Sequence, residues 1–63
     1  MNYQERVIDE YNELSMRMTE LREFIKKVED GKVDDVKDFN LLIAQLSAMD
    51  TYLTILHERI KNF

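Results

Sequence analysis

Apolar residues recur along this chain in two long runs at helical spacing. In the first, Val7, Tyr11, Leu14, Met18, Leu21, Ile25 and Val28 follow one another in steps of four and three. In the second, Phe39, Leu42, Leu46, Met49, Leu53, Leu56, Ile60 and Phe63 do the same. Such steps keep side chains on one stripe of an α-helix, facing a partner helix. Proline is absent, so neither run meets the lost donor and ring clash that break a helix. The pattern predicts a helix over about residues 3–29, a connector over about 30–37 and a second helix over about 38–62.

Local signals mark the ends. Asn2 followed by Glu5 fits an N-cap with its reciprocal acid. Gly31, the only glycine, stands where the first pattern stops, the place for a left-handed terminator. Lys26 and Lys27 sit at the negative end of the first helix dipole. Asp34, Asp35 and Asp38 are candidate N-caps for the second helix. A connector this short returns that helix antiparallel to the first. The fold class is all-α: a single domain, folded as an antiparallel two-helix hairpin.

The second helix is apolar on more than one side. Leu41–His57 (LLIAQLSAMDTYLTILH) carries one formal charge, Asp50, in a chain that is 35% charged. Beside its seam runs another row at period seven, Leu41, Ala48 and Ile55, with Gln45, Tyr52 and Arg59 interleaved and Ile43 adding a further apolar position. A helix apolar over much of its circumference is normally buried among several neighbours. One hairpin offers one neighbour, so the others are expected from further copies, in a helical homo-oligomer. Burying each such side chain is worth roughly 1.5–3 kcal/mol, large against a net stability of about 5–15 kcal/mol. A dimeric four-helix bundle and a higher oligomer both satisfy the pattern.

Composition sharpens this. A lone chain of 63 residues buries only about 60% of its unfolded surface, and domains this small usually add disulfides, a metal or self-association. There is no cysteine, and His57 is the only histidine, so disulfides, thiolate sites and a multi-histidine metal site within one chain are excluded. A net charge of −4 argues against a sequence-independent grip on DNA or RNA, which needs Lys and Arg against phosphates. Glu5, Arg6, Asp9, Glu10 and Glu13 crowd the start, unlike a signal peptide. Gln45, Ser47, Asp50, Thr51 and Thr54 interrupt the apolar stretch, which falls short of the about 20 residues of a membrane span. A cytoplasmic protein with no membrane partner is expected.

One row of the first helix could carry binding chemistry. Tyr3, Glu10, Arg17 and Phe24 recur at period seven, a row that drifts only about 20° per heptad. A stacking ring and a cation along one edge are what a nucleotide pocket needs. Edge positions of helical bundles also hold charged pairs and covering aromatics, so the row alone decides nothing. Glu5, Asp9 and Glu13, and separately Glu20 and Glu23, lack the Glu-x-x-His pairing of di-metal bundles and fit a solvated face. Ser15, Ser47 and Thr51 have no His and Asp partners at recognisable spacing, and one glycine cannot build a phosphate-cradling loop. Neither an enzyme nor a cofactor is expected. Met18 and Met49 lie on the seams, whereas Met16 points nearly opposite and is exposed or touches another subunit.

Taken together, YQERVIDEYNELSMRMTELREFI at Tyr3–Ile25 and LLIAQLSAMDTYLTILHERI at Leu41–Ile60 resemble a family of small phage helical-hairpin proteins, the anti-CBASS cyclic-oligonucleotide sponges. The pattern rests on Tyr3, Gln4, Arg6 and Val7, on the Asp9-Glu10 pair, on Phe24 and Ile25, and on Leu41, Leu42, Gln45, Met49, Tyr52, Leu56, Arg59 and Ile60. The resemblance implies a compact homo-oligomer, a hexamer in the best understood members, acting in the cytoplasm of an infected bacterial host. It implies a phage anti-defence protein that sequesters cyclic di- and trinucleotide immune signals without cleaving them, in pockets built between subunits. By motif, Tyr3 would be the stacking ring and Arg17 the phosphate or base-edge contact of a dinucleotide pocket, with Thr19 and Arg59 serving a trinucleotide pocket. Within the same class the ligand could be another immune signal, such as a cyclic ADP-ribose derivative. The competing expectation is an oligomeric helical adaptor that binds a protein partner.

Overall fold

The computed structural model describes residues 2–63. Two helices account for most of them: α1, Tyr3–Glu29, and α2, Phe39–Lys61, with no strand among the described residues. They pack antiparallel, so that Tyr3 of α1 lies against Arg59 and Phe63 at the far end of the chain. The result is a rod of 43 × 17 × 15 Å.

The two seams meet as their spacing predicts. Val7, Leu14, Met18 and Leu56 form the buried cluster, with Tyr11, Leu46, Met49, Leu53 and Ile60 packed against it. Burial is unequal: α1 contributes Val7, Leu14, Met18 and Ile25 to the interior, whereas α2 contributes Leu56 alone. The second apolar row of α2 is left in solvent, Leu41 at 69% exposure and Ile55 at 51%. Met16 is exposed as well.

Accordingly the rod is larger than a compact monomer. Its radius of gyration is 14.5 Å, against about 11 Å for a globule of this length. Its accessible surface is 4974 Å², against about 4,300 Å² for a compact monomer of this mass.

The ends follow local chemistry. The Glu5 amide donates to Asn2 Oδ1 at 2.8 Å, the forward half of a capping box; the return bond from the Glu5 side chain is not made among the described residues. Gly31, at φ +75°, stops α1. The Gly31 amide donates to the Val28 carbonyl at 3.1 Å and the Lys32 amide to the Lys27 carbonyl at 2.9 Å, the paired bonds of a Schellman motif. Asp35 also adopts a positive φ, 62°, a conformation Asp tolerates better than most residues. Of the three candidate caps for α2, Asp38 occupies the N-cap position, and it caps without a side-chain hydrogen bond. Its carbonyl accepts from the Leu41 and Leu42 amides instead.

As formed, α2 is long and apolar enough, by length and composition, to cross a membrane. Asp50 stands near its middle, and a carboxylate there would cost about 2.5–3.5 kcal/mol in a bilayer. In the hairpin the same side chain is exposed to water.

Candidate functional site at the open end of the hairpin

The antiparallel register brings the first turns of α1 beside the last turns of α2, at the end opposite the connector. Tyr3, Arg6, Val7, Glu10 and Arg59 line a cleft there of about 270 Å³. Val7 is its floor and belongs to the core. Tyr3 stays 56% exposed because it sits one helical turn before the seam begins.

The side chains of the cleft are tied to each other. Arg59 Nη2 donates to Tyr3 Oη at 2.9 Å, and the guanidinium carbon stands 5.6 Å from the Tyr3 ring centroid, inside the range of a cation–π contact. Phe63 stands beside Tyr3, outside the cleft lining, its ring centroid 6.0 Å from that of Tyr3 at a 60° tilt. The bond to the Tyr3 hydroxyl and the charge of its oxygen raise the Arg59 pKa above its ordinary value; partial desolvation opposes this and Glu10 adds to it. Arg59 is thus a fixed cation, held on an aromatic ring by two kinds of contact.

Of the four residues singled out in the sequence, the chain brings Tyr3 and Arg59 together and leaves Arg17 and Thr19 elsewhere. Arg17 is exposed and makes no hydrogen bond or ion pair among the described residues. It lies about 21 Å along the helix axis from Tyr3. Thr19 lies about 24 Å from Tyr3 along the same axis, on a separate face, where it lines a shallow groove with Ser15, Met16 and Glu20. Its hydroxyl donates to the Ser15 carbonyl at 3.1 Å, so its proton is already engaged. Within one chain, then, Tyr3 and Arg17 do not share a pocket, and neither do Thr19 and Arg59.

Sequence reasoning passed over Arg6 and the placement of Glu10 in this cleft. Part of a signal existed: Arg6, Tyr3, Glu10 and Val7 fall on one arc of α1 at 100° per residue, but counting outward equally from the connector places Arg59 opposite Asp9, beside Glu10 and about 9 Å along the axis from Tyr3. A second cleft, of about 230 Å³, is lined by Tyr11, Leu53, Thr54 and His57. There the Tyr11 and His57 rings lie 6.0 Å apart at 37°. It holds no permanent cation, and the Thr54 hydroxyl is bonded to the Asp50 carbonyl at 3.0 Å. Among the described residues no three His, Asp or Glu side chains gather to hold a metal ion.

Compared with known proteins, residues 1–62 match the family model described as Sequestin. The chain belongs to the Sequestin family. No curated protein and no solved structure matches it.

Proposed function

We propose that this Sequestin-family chain is a sequestering protein that captures a cyclic nucleotide signal stoichiometrically and leaves it intact. The observation that carries the proposal is the ring–guanidinium pair at the open end of the hairpin, Tyr3 with Arg59, exposed in a cleft. A π-face beside a fixed cation suits a base next to its phosphate. The family's name, which speaks of sequestration, supports the same reading, and the resemblance to phage sponges supplies the setting: an anti-defence protein in the cytoplasm of an infected bacterium. The proposed action is binding without catalysis, since the cleft offers a ring, two guanidiniums and a carboxylate and no Ser, Thr, Cys or His.

Self-association belongs to the same proposal. The surplus surface of the single rod and the exposed row of Leu41 and Ile55 support a homo-oligomer, and the resemblance implies a hexamer. In such an assembly Arg17 and Thr19 of one subunit would reach pockets that a single chain does not form.

Cyclic di- and trinucleotides are the ligands the resemblance implies. A cyclic ADP-ribose derivative is the second reading, and a specific observation favours it: Tyr3 and Arg59, assigned by resemblance to two different pockets, share one cleft of about 270 Å³. Thermal unfolding with both ligand classes separates these readings. A ligand specific for the folded state, at one hundred times its dissociation constant, adds about 2.7 kcal/mol. A rise in Tm with one class names the ligand, and heat release followed by chromatography should return it unchanged. Absence of any shift would overturn the nucleotide reading in favour of a helical adaptor for a protein partner. Recovery of a cleaved nucleotide would overturn the non-catalytic one.

A further inference from the structure

Two groups in the cleft belong to neither the seam nor the bonded Tyr3–Arg59 pair, although the Glu10 charge acts on Arg59 from a distance. Among the described residues, the side chains of Arg6 and Glu10 make no hydrogen bond and no ion pair, although both line the cavity with Arg59. Along the axis of α1 they follow Tyr3 in order, Arg6 about 4.5 Å beyond it and Glu10 about 10.5 Å beyond it. The cleft therefore runs from a π-face, past guanidiniums from both helices, to a carboxylate.

That last group is out of place in a simple anion site. An ionised carboxylate only accepts hydrogen bonds, and it repels a phosphate held nearby. Its presence makes sense if the ligand brings a donor to it. With a base on Tyr3 and phosphate between Arg6 and Arg59, the group that arrives about 10 Å from the ring is the sugar on the far side of the phosphate. Ribose hydroxyls are donors that a carboxylate accepts, as acidic residues do in dinucleotide sites.

We propose that Glu10 determines the specificity of this cleft by accepting a hydroxyl of a ribose that lies beyond the phosphate, while Arg6 joins Arg59 in holding the phosphate itself. This rests on the nucleotide-sequestering reading and deepens it, because it names a ligand class in which a phosphate links two riboses and sets it apart from a simple nucleotide.

Calorimetric titration of the intact oligomer tests the assignment. The sugar-bearing probes are ADP-ribose, cyclic ADP-ribose, cyclic di-AMP and cyclic tri-AMP; ADP and inorganic pyrophosphate lack the second ribose. In Glu10→Gln, the sugar-bearing probes that the wild type binds should weaken about tenfold or more, the size of a lost charged hydrogen bond. ADP and pyrophosphate should bind as well as before or better, because a repelling charge has gone. Glu10→Asp, with its shorter reach, should fall between, and Arg6→Ala should weaken every phosphate-bearing probe. Circular dichroism and sedimentation should show helicity and assembly unchanged in all three variants. If Glu10→Gln binds the sugar-bearing probes as tightly as wild type, or loses ADP in equal measure, the role given to Glu10 is overturned while the sequestering reading stands. A wild type that binds none of the nucleotides overturns the sequestering reading itself, and this assignment with it.

Discussion

Leu56 and Ile55 are neighbours in α2, similar in size and equally apolar, and they meet opposite fates: Leu56 is fully buried and Ile55 is 51% exposed. Each belongs to a row with a regular helical period. One row faces α1 and the other faces water. The contrast shows that a hydrophobic period identifies a stripe and says nothing about what covers it. Only the count of available neighbours does that, and one hairpin supplies enough for a single stripe of α2.

The sharpest test of this contrast is truncation at the buried member. Leu56→Ala should cost about 2–5 kcal/mol and lower Tm by about 8 °C or more, since each kcal/mol is worth about 4–8 °C in a domain of this size. Thermal circular dichroism at fixed protein concentration measures it. Ile55→Ala is the matched control and should stay within about 0.5 kcal/mol at concentrations where the protein is a monomer. A cost for Ile55→Ala that grows with protein concentration would mean that a second copy covers the outer row. Ile55→Glu then breaks the comparison from the other side. It should leave the helicity of the hairpin intact and abolish self-association in sedimentation equilibrium. An unchanged assembly in that variant would move the interface off this row.

Smaller effects belong to the turn and the surface. Gly31→Ala should cost about 1–2 kcal/mol, the left-handed penalty of a residue with a Cβ, because the added Cβ meets nothing within 4 Å and only the backbone resists. Urea denaturation should record it as a shift in midpoint with no change in slope. Lys61→Ala removes the only ion pair found among the described residues, to Glu58 at 3.3 Å. Exposed as that pair is, the loss should be about 0–1 kcal/mol. The Arg59 contact should add no pH dependence between about pH 5 and 9. A raised pKa leaves its contribution complete below the ordinary arginine value and removes it only as pH climbs past the raised one. A titration of Tm over that window checks this.

The hairpin itself was legible in the sequence, and for identifiable reasons. Steps of three and four placed Val7, Leu14, Met18 and Leu56 in one core, and the lone glycine marked the end of α1 because few other residues accept its backbone conformation. Asp35 was a candidate cap only, and its positive φ was not foreseen, since nothing in a run of aspartates says which one takes that conformation. The candidate site was legible only in pieces. Tyr3 and Arg59 were identified separately, and their meeting depends on the register of two helices, which is set by the length of the connector rather than by either motif. Glu10 stood in the edge row and Arg6 in the family pattern, yet neither was assigned to a pocket, because charges at the edge of a helix are common and only the opposing helix turns these into the walls of a cleft.

The clasp between Tyr3 and Arg59 joins residues separated by nearly the whole chain, and this bears on how the rod folds and breathes. Contacts beside the connector close short loops and form cheaply. Those at the open end must wait until the helices have zipped together, and they part first when the ends fray. The candidate cleft therefore sits on the last part of the molecule to close. Amide hydrogen exchange should show weak protection around Val7 and Leu56 relative to the middle of the rod, and a ligand in the cleft should reverse that gradient. On the proposed function, a captured nucleotide would act as a latch on the zipper and would let so small a protein hold its ligand without a lid.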